Sequence, residues 1–589
     1  MTTTQRRPWL LGWFAIAAAC AGDSGEGDST ATGATAGTTS ATSGPTSGPT
    51  SASGETVGTS DTAGTTTGGS MGTTSMGSAS TDPSAGTTTG GGSGVACEAA
   101  PGGGSAEVAA PTLLLTLADR WEEGWLGSPA VADLDGDGAN EVIVPRGNAI
   151  LVWGEDGTLR WKTAAAGGRI WASPVVADLH ASPGLEVAFA AREQLYLLAA
   201  DGSTLPGFPV SWEDELRSLA AGDVDGDGDL DLVVAPAHGG PTDVMHAFTA
   251  QGTPVAGFPP NQAGVSGCDG DDKCYLAGCY DQNLAVGDLD GDGKADVVAP
   301  HDNAYTSIHK GSGEAFDAAP IFPVMKTPGI RYLHDLAEAM MGYAEDEESA
   351  LQAHFTNTPP AIADIDGDGQ REVLLLASVQ NAAQTDREKG VALWVVGHDG
   401  ARRPGFDPPV HAPDYLSGLW DYGDNIVAIT NQVSVADVDG DLAGLEMVFA
   451  GFDGRIHMVS AAGALLWSRE YTTDPGVATG GVVIGDLSGD GRPEIVFATY
   501  STADDQGALF ILAGDGAVLH ELPLPRRGAM PVPTLADVDG DGAVEIVVSL
   551  KDAEDKVESV RVYTVPGSAT NCLPWPTARA NLLRSGLVP

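Results

Sequence analysis

Basic residues are scarce in this sequence. Its 589 residues include 29 Lys and Arg against 80 Asp and Glu, which gives a formal net charge of −51 at pH 7. So acidic a chain argues against nucleic acid and against anionic lipid as partners, because Lys and Arg must neutralise the phosphates of both. The surplus of carboxylates is compatible with bound cations.

Long apolar runs are also scarce, and the one near the N-terminus is short. Arg6 and Arg7 precede the apolar run from Pro8 to Ala19, which is too short for a permanent membrane span and is typical of an export signal. The Ala-Ala-Ala-Cys stretch at 17–20 resembles the lipobox of bacterial lipoproteins, although that motif prefers Leu at its first position. Residues 1–20 are therefore predicted to be a signal peptide and lipobox, with Cys20 lipidated and the protein exported to the outer membrane or cell surface. Ordinary cleavage just before that cysteine, followed by secretion, is the alternative.

Cysteines are few as well, six in the whole chain. If Cys20 carries the lipid, five remain: Cys97, Cys268, Cys274, Cys279 and Cys572. Export makes disulfides plausible, but an odd number leaves one thiol unexplained.

The segment 21–105 consists almost entirely of Thr, Ser, Gly and Ala and has no Lys or Arg. Such a composition cannot bury enough apolar surface to offset the loss of chain entropy. It predicts a disordered tether in front of a folded part at 106–589.

An acidic loop of the form Asp-x-Asp-Gly-Asp-Gly-x-x-Asp/Glu recurs along the folded part, in some copies with changes. The eight copies begin at Asp133, Asp178, Asp223, Asp288, Asp364, Asp437, Asp486 and Asp537. Successive copies are 45 to 76 residues apart. The shortest spacing is the length of a four-stranded propeller blade, and a repeat of this period indicates such an array.

Short apolar runs separated by Gly and Asp turns follow each loop, which is a strand pattern. The first unit predicts strands at 128–133, 142–145, 150–153 and 158–162. The last unit lacks a fourth strand, and Pro111 to Leu117 can supply it. The predicted fold is therefore all-β, an eight-bladed propeller of four-stranded blades whose ring is closed by the N-terminal strand. This closure would bring Cys97 and Cys572 to the same blade as candidates for a disulfide.

The acidic loops have the composition of calcium sites. Calcium takes six to eight oxygen ligands, and a tight turn can direct the carboxylates at positions 1, 3, 5 and 9 towards one ion. Without an ion these carboxylates would repel one another. The pattern resembles the FG-GAP/VCBS repeats of integrin α-chain propellers and of exported bacterial proteins. Over residues 111–589, this resemblance implies a propeller with calcium in the loops between the first and second strands of its blades.

Seven loops are predicted to hold about seven Ca²⁺ ions. The predicted ligands are Asp133, Asp135, Asp137 and Glu141; Asp223, Asp225, Asp227 and Asp231; Asp288, Asp290, Asp292 and Asp296; Asp364, Asp366, Asp368 and Glu372; Asp437, Asp439, Asp441 and Glu446; Asp486, Ser488, Asp490 and Glu494; Asp537, Asp539, Asp541 and Glu545.

Three loops depart from the full pattern. Ser488 replaces Asp at position 3 of one, and an extra residue precedes Glu446 in another, yet both are predicted to bind. The loop at Asp178 has His180 and Ser182 where carboxylates belong, so it is predicted to be empty or weak.

The C-terminal segment 574–586 resembles a closing motif of related exported repeat proteins. It is predicted to be a packing element, with Trp575 against the last blade.

Three inserts are predicted on the face opposite the acidic loops, because each follows the fourth strand of a blade. They span 262–283, 327–358 and 408–432, and the second has the spacing of a small helical insert. Loops on a rigid scaffold often carry binding sites. The candidate contact residues are Tyr280, Tyr332, His334, Tyr415, Trp420 and Tyr422, with packing of the inserts as their alternative role.

Two classes of function fit the sequence. The first is a non-enzymatic surface module that binds an unknown protein or carbohydrate, supported by export, a tether and the lack of a recognisable catalytic motif. The alternative is a lyase-like, polysaccharide-acting enzyme that uses His301, His334 and Arg331, although fold analogy is weak support. A quinone-dependent dehydrogenase is a third reading, but the regular tryptophan-docking repeats of that family are missing.

Overall fold

The computed structural model describes residues 97–588 except 101–102, 106, 119–122, 213–214, 237–244, 260–283, 301–304, 315, 317–329, 332–351, 355–357, 382–385, 399–400, 419–430, 442 and 553–558. These residues form eight antiparallel sheets, the blades of a β-propeller, and they contain no helix. The described part of the chain therefore offers no helix that could span a membrane. The prediction of an all-β, eight-bladed propeller is confirmed. The predicted signal peptide, the lipobox and most of the tether lie outside the described residues.

The blades follow one another along the chain, and each takes its strands in chain order. The first strand of the chain, β1 (Thr112–Leu117), belongs to the last blade. Blade 1 contains β2 (Ala130–Ala132), β3 (Glu141–Arg146), β4 (Ala149–Trp153) and β5 (Leu159–Ala164). Blade 2 contains β6 (Val175–Ala177), β7 (Glu186–Ala191), β8 (Gln194–Leu198) and β9 (Val210–Ser211). Blade 3 contains β10 (Leu216–Gly222), β11 (Asp231–Pro236) and β12 (His246–Phe248), with a single bridge from Phe248 to Pro254 in the fourth position.

The remaining blades repeat this order. Blade 4 contains β13 (Ala285–Gly287), β14 (Asp296–Pro300), β15 (Tyr305–His309) and β16 (Ile330–Arg331). Blade 5 contains β18 (Ala361–Ala363), β19 (Glu372–Gln380), β20 (Val391–Val396) and β21 (Val410–Ala412), and β17 (Gln352–His354) also pairs with β19. Blade 6 contains β22 (Ser434–Ala436), β23 (Glu446–Ala450), β24 (Arg455–Val459) and β25 (Leu465–Glu470). Blade 7 contains β27 (Val483–Gly485), β28 (Glu494–Ser501), β29 (Ala508–Leu512) and β30 (Val518–Pro523), with β26 (Val477–Thr479) also on β28. Blade 8 contains β31 (Thr534–Ala536), β32 (Val544–Ser549), β33 (Val560–Val565) and then β1.

The core lies between adjacent blades. The second and third strands are apolar on both faces, and in β3 and β4 every residue is buried. Continuous apolar runs of this kind are expected where both faces of a sheet are covered. The outermost strands, such as β5 and β25, are half-exposed.

The first strands of the blades form a circle. In the order β2, β6, β10, β13, β18, β22, β27 and β31 each contacts the next, and β31 contacts β2. β1 pairs antiparallel with β33, from Thr112 opposite Thr564 to Leu117 opposite Val560. The outermost strand of the eighth blade therefore comes from the N-terminal side of the first blade.

The C-terminal segment 572–588 runs along the inner side of this circle and contacts all eight blades. Its carbonyl groups accept N–H donors from the first strands of six blades: Ile484, Leu535, Val176, Ala221, Val286 and Ile362. The guanidinium of Arg584 donates to the carbonyl of Pro129 in blade 1 at 2.9 Å, and the N–H of Arg579 donates to Gln432 Oε1 in blade 6 at 2.9 Å.

Trp575 was predicted to pack against the last blade, but it pairs with the seventh. Its carbonyl accepts the N–H of Ile484 at 2.8 Å, and its side chain is fully buried. The eighth blade is reached one residue later, where the carbonyl of Pro576 accepts the N–H of Leu535. The segment therefore moves from blade to blade along the circle.

Cys97 and Cys572 form a disulfide, with their Cα atoms 5.5 Å apart. The bond lies beside the acidic loop of the seventh blade and not at the eighth blade, where the sequence interpretation placed both residues. The N–H of Ala100 donates to the carbonyl of Gly489 in that loop, and the N–H of Asp486 donates to the carbonyl of Cys572, both at 2.9 Å. The other three cysteines beyond Cys20 lie outside the described residues.

Two of the predicted inserts contain strands of the blades. The range 327–358 includes β16 and β17, and the range 408–432 includes β21. Gln352–His354, at the end of the stretch with helical spacing, is a strand because it pairs with the long second strand of blade 5. Most of that stretch, at 332–351, and the insert at 262–283 lie outside the described residues.

Candidate metal centres

All eight acidic loops occupy the same place in their blades. Position 1 directly follows the last residue of the first strand, and position 9 lies at the start of the second strand. The residue before position 1 pairs with the position 9 acid in every blade, as Ala132 does with Glu141. The loops therefore all lie on one face of the propeller.

Backbone N–H groups hold the loop carboxylates in place. In all eight loops the N–H at position 2 donates to the carboxylate at position 9, as Leu134 does to Glu141 at 3.0 Å. In seven loops the N–H of the Gly at position 4 donates to Oδ1 of the Asp at position 1. In six loops the Gly at position 6 donates to Oδ2 of the same Asp. Gly136 and Gly138 do this with φ values of 75° and 91°, which an L-residue rarely adopts.

An apolar residue at position 2 anchors each loop, and the sequence interpretation did not use it. This residue is buried in every copy: Leu134, Leu179, Val224, Leu289, Ile365, Val438, Leu487 and Val538. Burial of such a side chain contributes about 1.5–3 kcal/mol. The buried apolar side chain anchors the turn to the core of the blade, and the carboxylates of the loop lie close together. Its regular occurrence after position 1 was visible in the sequence.

Carboxylates from within one loop approach closely enough to hold a metal ion. In at least five loops three acids each offer an oxygen within 4.8 Å of the others. These sets are Asp133, Asp135 and Glu141; Asp223, Asp225 and Asp227; Asp288, Asp290 and Asp296; Asp364, Asp366 and Glu372; Asp437, Asp439 and Glu446. An all-oxygen, carboxylate-rich donor set fits a hard cation such as Ca²⁺.

The position 9 carboxyl is buried in every loop. Burial, as the largest cause, together with the neighbouring aspartates raises the pKa of Asp231, Asp296, Glu446, Glu494 and Glu545 to about 7. The pKa of Glu141 is raised for the same reasons. Several carboxylates in so small a volume are costly without a positive charge.

Among the described residues, side-chain cations pair with carboxylates in two of the loops. Lys310 Nζ lies 2.8 Å from a carboxylate oxygen of Asp290, and the guanidinium of Arg403 contacts Glu372. These two loops therefore carry part of the compensating charge within the protein.

The loop at Asp178 has different hydrogen bonds from the other seven, because different residues stand at positions 4 and 6. Ala181 and Pro183 stand at positions 4 and 6, and a proline has no N–H to donate to the first aspartate. The hydroxyl of Ser182 donates instead to Glu186, which also accepts the N–H groups of Leu179 and His180. Hydrogen bonds inside the loop therefore satisfy its buried carboxylate.

The loop at Asp486 is covered by the N-terminal segment that begins at Cys97. Asp486, Ser488 and Glu494 are all buried. This cover was not predicted, since nothing in the composition of 97–105 marks it as part of the folded structure.

Neighbouring loops are bonded to each other. The Asn140 amide donates to the carbonyl of Asp537 at 2.6 Å, which links blades 1 and 8. The N–H of Leu185 donates to the carbonyl of Leu134, and that of Leu445 donates to the carbonyl of Ile365, which links blades 1 and 2 and blades 5 and 6. An ion that stiffens one loop therefore also supports the contact with the adjacent blade.

The opposite face carries a row of stacked cations and aromatic rings that the sequence interpretation missed. Lys551 Nζ lies 3.0 Å from the ring centroid of Trp125, and Arg169 Cζ lies 3.8 Å from the same centroid. Arg169 Cζ is also 5.5 Å from Trp171, and Arg217 Cζ is 4.5 Å from Trp171. We call these five residues the cation–aromatic ladder. They precede or begin the first strands of blades 1 to 3 or follow the second strand of blade 8, so they lie at the blade ends away from the acidic loops.

Of the six predicted contact residues, the structure describes Tyr415. Its half-exposed ring packs edge-on against Phe452, with the centroids 6.0 Å apart. The other five, Tyr280, Tyr332, His334, Trp420 and Tyr422, lie outside the described residues.

Comparison with known protein families gives two matches, both on acidic loops. A family model described as an FG-GAP-like repeat matches residues 486–548, and the FG-GAP repeat matches residues 216–244. This chain is an eight-bladed β-propeller, and two of its segments match FG-GAP repeats. No curated protein matches its sequence.

Solved structures resemble the FG-GAP propeller only distantly. The V. cholerae biofilm matrix protein Bap1 is 14% identical with a TM-score of 0.48, and the match covers 82% of this chain and 96% of that one. The exotype rhamnogalacturonan lyase YesX is 14% identical with a TM-score of 0.46 and 80% coverage of each chain. A europium-containing methanol dehydrogenase is 11% identical with a TM-score of 0.46, over 77% of this chain and 93% of that one. These likenesses carry no argument about function.

Proposed function

We propose that this FG-GAP propeller is an exported, calcium-binding surface module that binds a protein or glycan ligand. The observation that carries the calcium assignment is the repeated loop geometry, in which six loops present both oxygens of the first aspartate to backbone N–H groups. The same turn gathers two further carboxylates within ligand distance. Oxygen donors in this number and charge favour Ca²⁺.

Calcium here has a structural role in the proposal. The ions neutralise clustered carboxylates and stiffen loops that are bonded to the next blade. The binding surface then lies on the opposite face, where a ligand can be held on a rigid support.

Export and anchoring complete the proposal. Residues 1–20 direct export, Cys20 carries the lipid, and 21–105 spaces the propeller from the membrane; secretion is the alternative. The chain enters the propeller at Cys97, beside an acidic loop. A ligand on the opposite face would therefore lie on the side away from this point of attachment. The pairing of β1 with β33 would also close the ring.

The test is a glycan and protein binding screen of the full-length protein, with and without a calcium chelator, together with elemental analysis for calcium. We expect several Ca²⁺ per chain and a ligand whose binding is lost when the chelated protein loosens. A purified protein that contains no calcium and melts at the same temperature with chelator would contradict the metal assignment. Turnover of an acidic polysaccharide would instead favour the lyase. Of the residues suggested for that activity, His301 and His334 lie outside the described residues, and Arg331 is described only as part of β16.

A further inference from the structure

The acidic loop of the seventh blade is buried more deeply than the loop at Asp133. Its residues Asp486, Ser488 and Glu494 are exposed by 0%, 6% and 4%. In the first blade Asp133 is half-buried, and Asp135, which is equivalent to Ser488, is exposed. The first aspartates of both loops nevertheless accept the same two backbone N–H groups. An ion in the seventh loop would therefore lie in the same backbone turn with much less access to solvent.

The N-terminal segment produces this burial. We call its residues 97–100 and 103–104 the cover. The N–H of Ala100 donates to the carbonyl of Gly489, at position 4 of the loop, at 2.9 Å. A Cβ atom added to Gly104 would lie 2.0 Å from the carbonyl carbon of Gly489, so the two backbones approach as closely as they do because neither residue has a side chain. The cover therefore lies directly on the turn of the loop.

The cover is also bonded to the C-terminal segment. The disulfide joins Cys97 to Cys572, and the Asn571 amide donates to the carbonyl of Glu98 at 2.7 Å. The carbonyl of Cys572 accepts the N–H of Asp486, the first residue of the loop, at 2.9 Å. The loop thus contacts the cover and the C-terminal segment, and the disulfide joins these two to each other.

The composition of the loop suits an enclosed site. Ser488 stands at position 3, where the other six predicted calcium loops have Asp. Its hydroxyl donates to Asp486 Oδ1 at 3.1 Å. Burial makes every unneutralised carboxylate costly. A serine here keeps an oxygen ligand for the ion and removes one buried charge.

We infer that the cover locks a calcium ion into the seventh blade, so that this site exchanges its ion more slowly than the other acidic loops. This inference rests on the proposed calcium binding and adds the regulation of one site. The ion cannot leave until the cover opens locally, and opening breaks the hydrogen bonds of Ala100 and Asn571. When free calcium falls, the other loops lose their ions first, while the point at which the chain enters the propeller keeps its own.

The test follows the release of radioactive calcium. The full-length protein is loaded with the isotope, an excess of chelator is added, and the calcium retained per chain is counted at successive times. We expect one ion per chain to leave at least roughly tenfold more slowly than the rest, since the cover must open first. Asp486→Asn should abolish this slow phase, whereas Asp133→Asn should remove one of the fast ions and keep the slow one.

Two variants loosen the cover without changing a ligand of the ion. The double variant C97S/C572S removes the cross-link, and Gly104→Ala places a methyl group against the backbone of Gly489. Each should speed release of the slow ion at least roughly tenfold, towards the rate of the others. The matched control is Ser105→Ala, at the exposed neighbouring position, which should leave the slow phase unchanged. Melting temperatures show which variants are folded.

Three results would overturn the inference. The ions of the wild type could all leave in a single phase, the slow ion could persist in either folded cover variant, or it could remain in Asp486→Asn and so belong to another loop. If C97S/C572S fails to fold, Gly104→Ala and the two aspartate variants decide the question. A protein that binds calcium and releases it in one phase leaves the proposed function standing, and a protein that holds no calcium refutes both.

Discussion

The loops that begin at Asp133 and Asp178 connect the same two strands in neighbouring blades, yet their carboxylates are satisfied in different ways. In the first loop both oxygens of Asp133 accept backbone N–H groups from glycines, and two further acids approach them. In the second loop Ser182 donates to the buried Glu186. Both keep the bond from position 2 to position 9 and both bury an apolar anchor.

The comparison separates the fold of the loop from its chemistry. The shared anchor and the shared hydrogen bond make the turn, and they need no ion. The glycines and the extra aspartates create a negatively charged cup, whose charge a bound cation would neutralise. A blade of this propeller can therefore keep the shape of the loop without the cup, provided that another donor satisfies the position 9 acid.

Removal of all calcium is expected to have the largest effect on stability. We expect a chelator to lower the melting temperature by at least about 10 °C, because each ion bound only by the folded state adds roughly 2–3 kcal/mol when it is well above its dissociation constant. Thermal melting followed by circular dichroism checks this, with restored calcium as the control. A chelated protein that melts unchanged would show that the cups do not depend on an ion.

A matched pair of single substitutions tests the two loops directly. Asp133→Asn should remove one Ca²⁺ per chain and lower stability by roughly 2–3 kcal/mol in calcium buffer, since the first ligand of the cup is lost. Asp178→Asn should change neither the calcium content nor the stability by more than about 0.5 kcal/mol. Elemental analysis and denaturant unfolding measure both. Equal effects in the two variants would mean that the loops are equivalent after all.

The second loop can also be converted. The double variant H180D/S182D should gain little calcium, because Pro183 still cannot donate an N–H to the first aspartate. The quadruple variant H180D/A181G/S182D/P183G should gain one Ca²⁺ per chain and about 1–2 kcal/mol in calcium buffer. Calcium content measured side by side distinguishes the two. A double variant that binds as well as the quadruple one would show that backbone donors are unimportant.

A buried histidine outside the loops, His246, should make the free energy of unfolding depend on pH. This effect is smaller than those expected for the loop variants. Burial lowers the pKa of His246 to about 4, and the ring is stacked on Phe248. In the unfolded chain the histidine has a pKa near 6.5, so between pH 6.5 and 4 it is protonated there but stays neutral in the folded protein. The free energy of unfolding therefore falls as the pH drops from about 6.5 towards 4. At pH 5.5 the loss is about 1.4 kcal/mol. His246→Phe should remove this part of the acid dependence in denaturant unfolding, and an unchanged pH profile would assign it elsewhere.

Local patterns predicted the repeating part of the molecule well. The number of acidic loops predicts the number of blades. The turn residues at fixed spacing predict that each loop lies between the first two strands of its blade. The departure of the Asp178 loop from the pattern was visible as His180 and Ser182, because missing carboxylates are a local property.

Long-range contacts were harder to predict. The ladder residues Trp125 and Trp171 belong to different blades, and their approach depends on how the sheets stack. The path of the C-terminal segment depends largely on backbone hydrogen bonds to six of the eight blades, which have no side-chain signature. The cover over the loop at Asp486 comes from residues 97–100 and 103–104, whose small residues resemble those of the predicted tether.

The disulfide between Cys97 and Cys572 also determines how the propeller would carry a load. If the tether is pulled, tension enters the folded part at Cys97 and passes across the disulfide to the C-terminal segment. That segment is bonded to the first strands of the blades around the circle, so the force is shared among many hydrogen bonds. The short pairing of β1 with β33, which would otherwise be peeled open from its free end, lies behind this cross-link and bears little of the strain. If the protein is anchored and binds a ligand as proposed, this cross-link would keep drag on that ligand away from the β1–β33 pair.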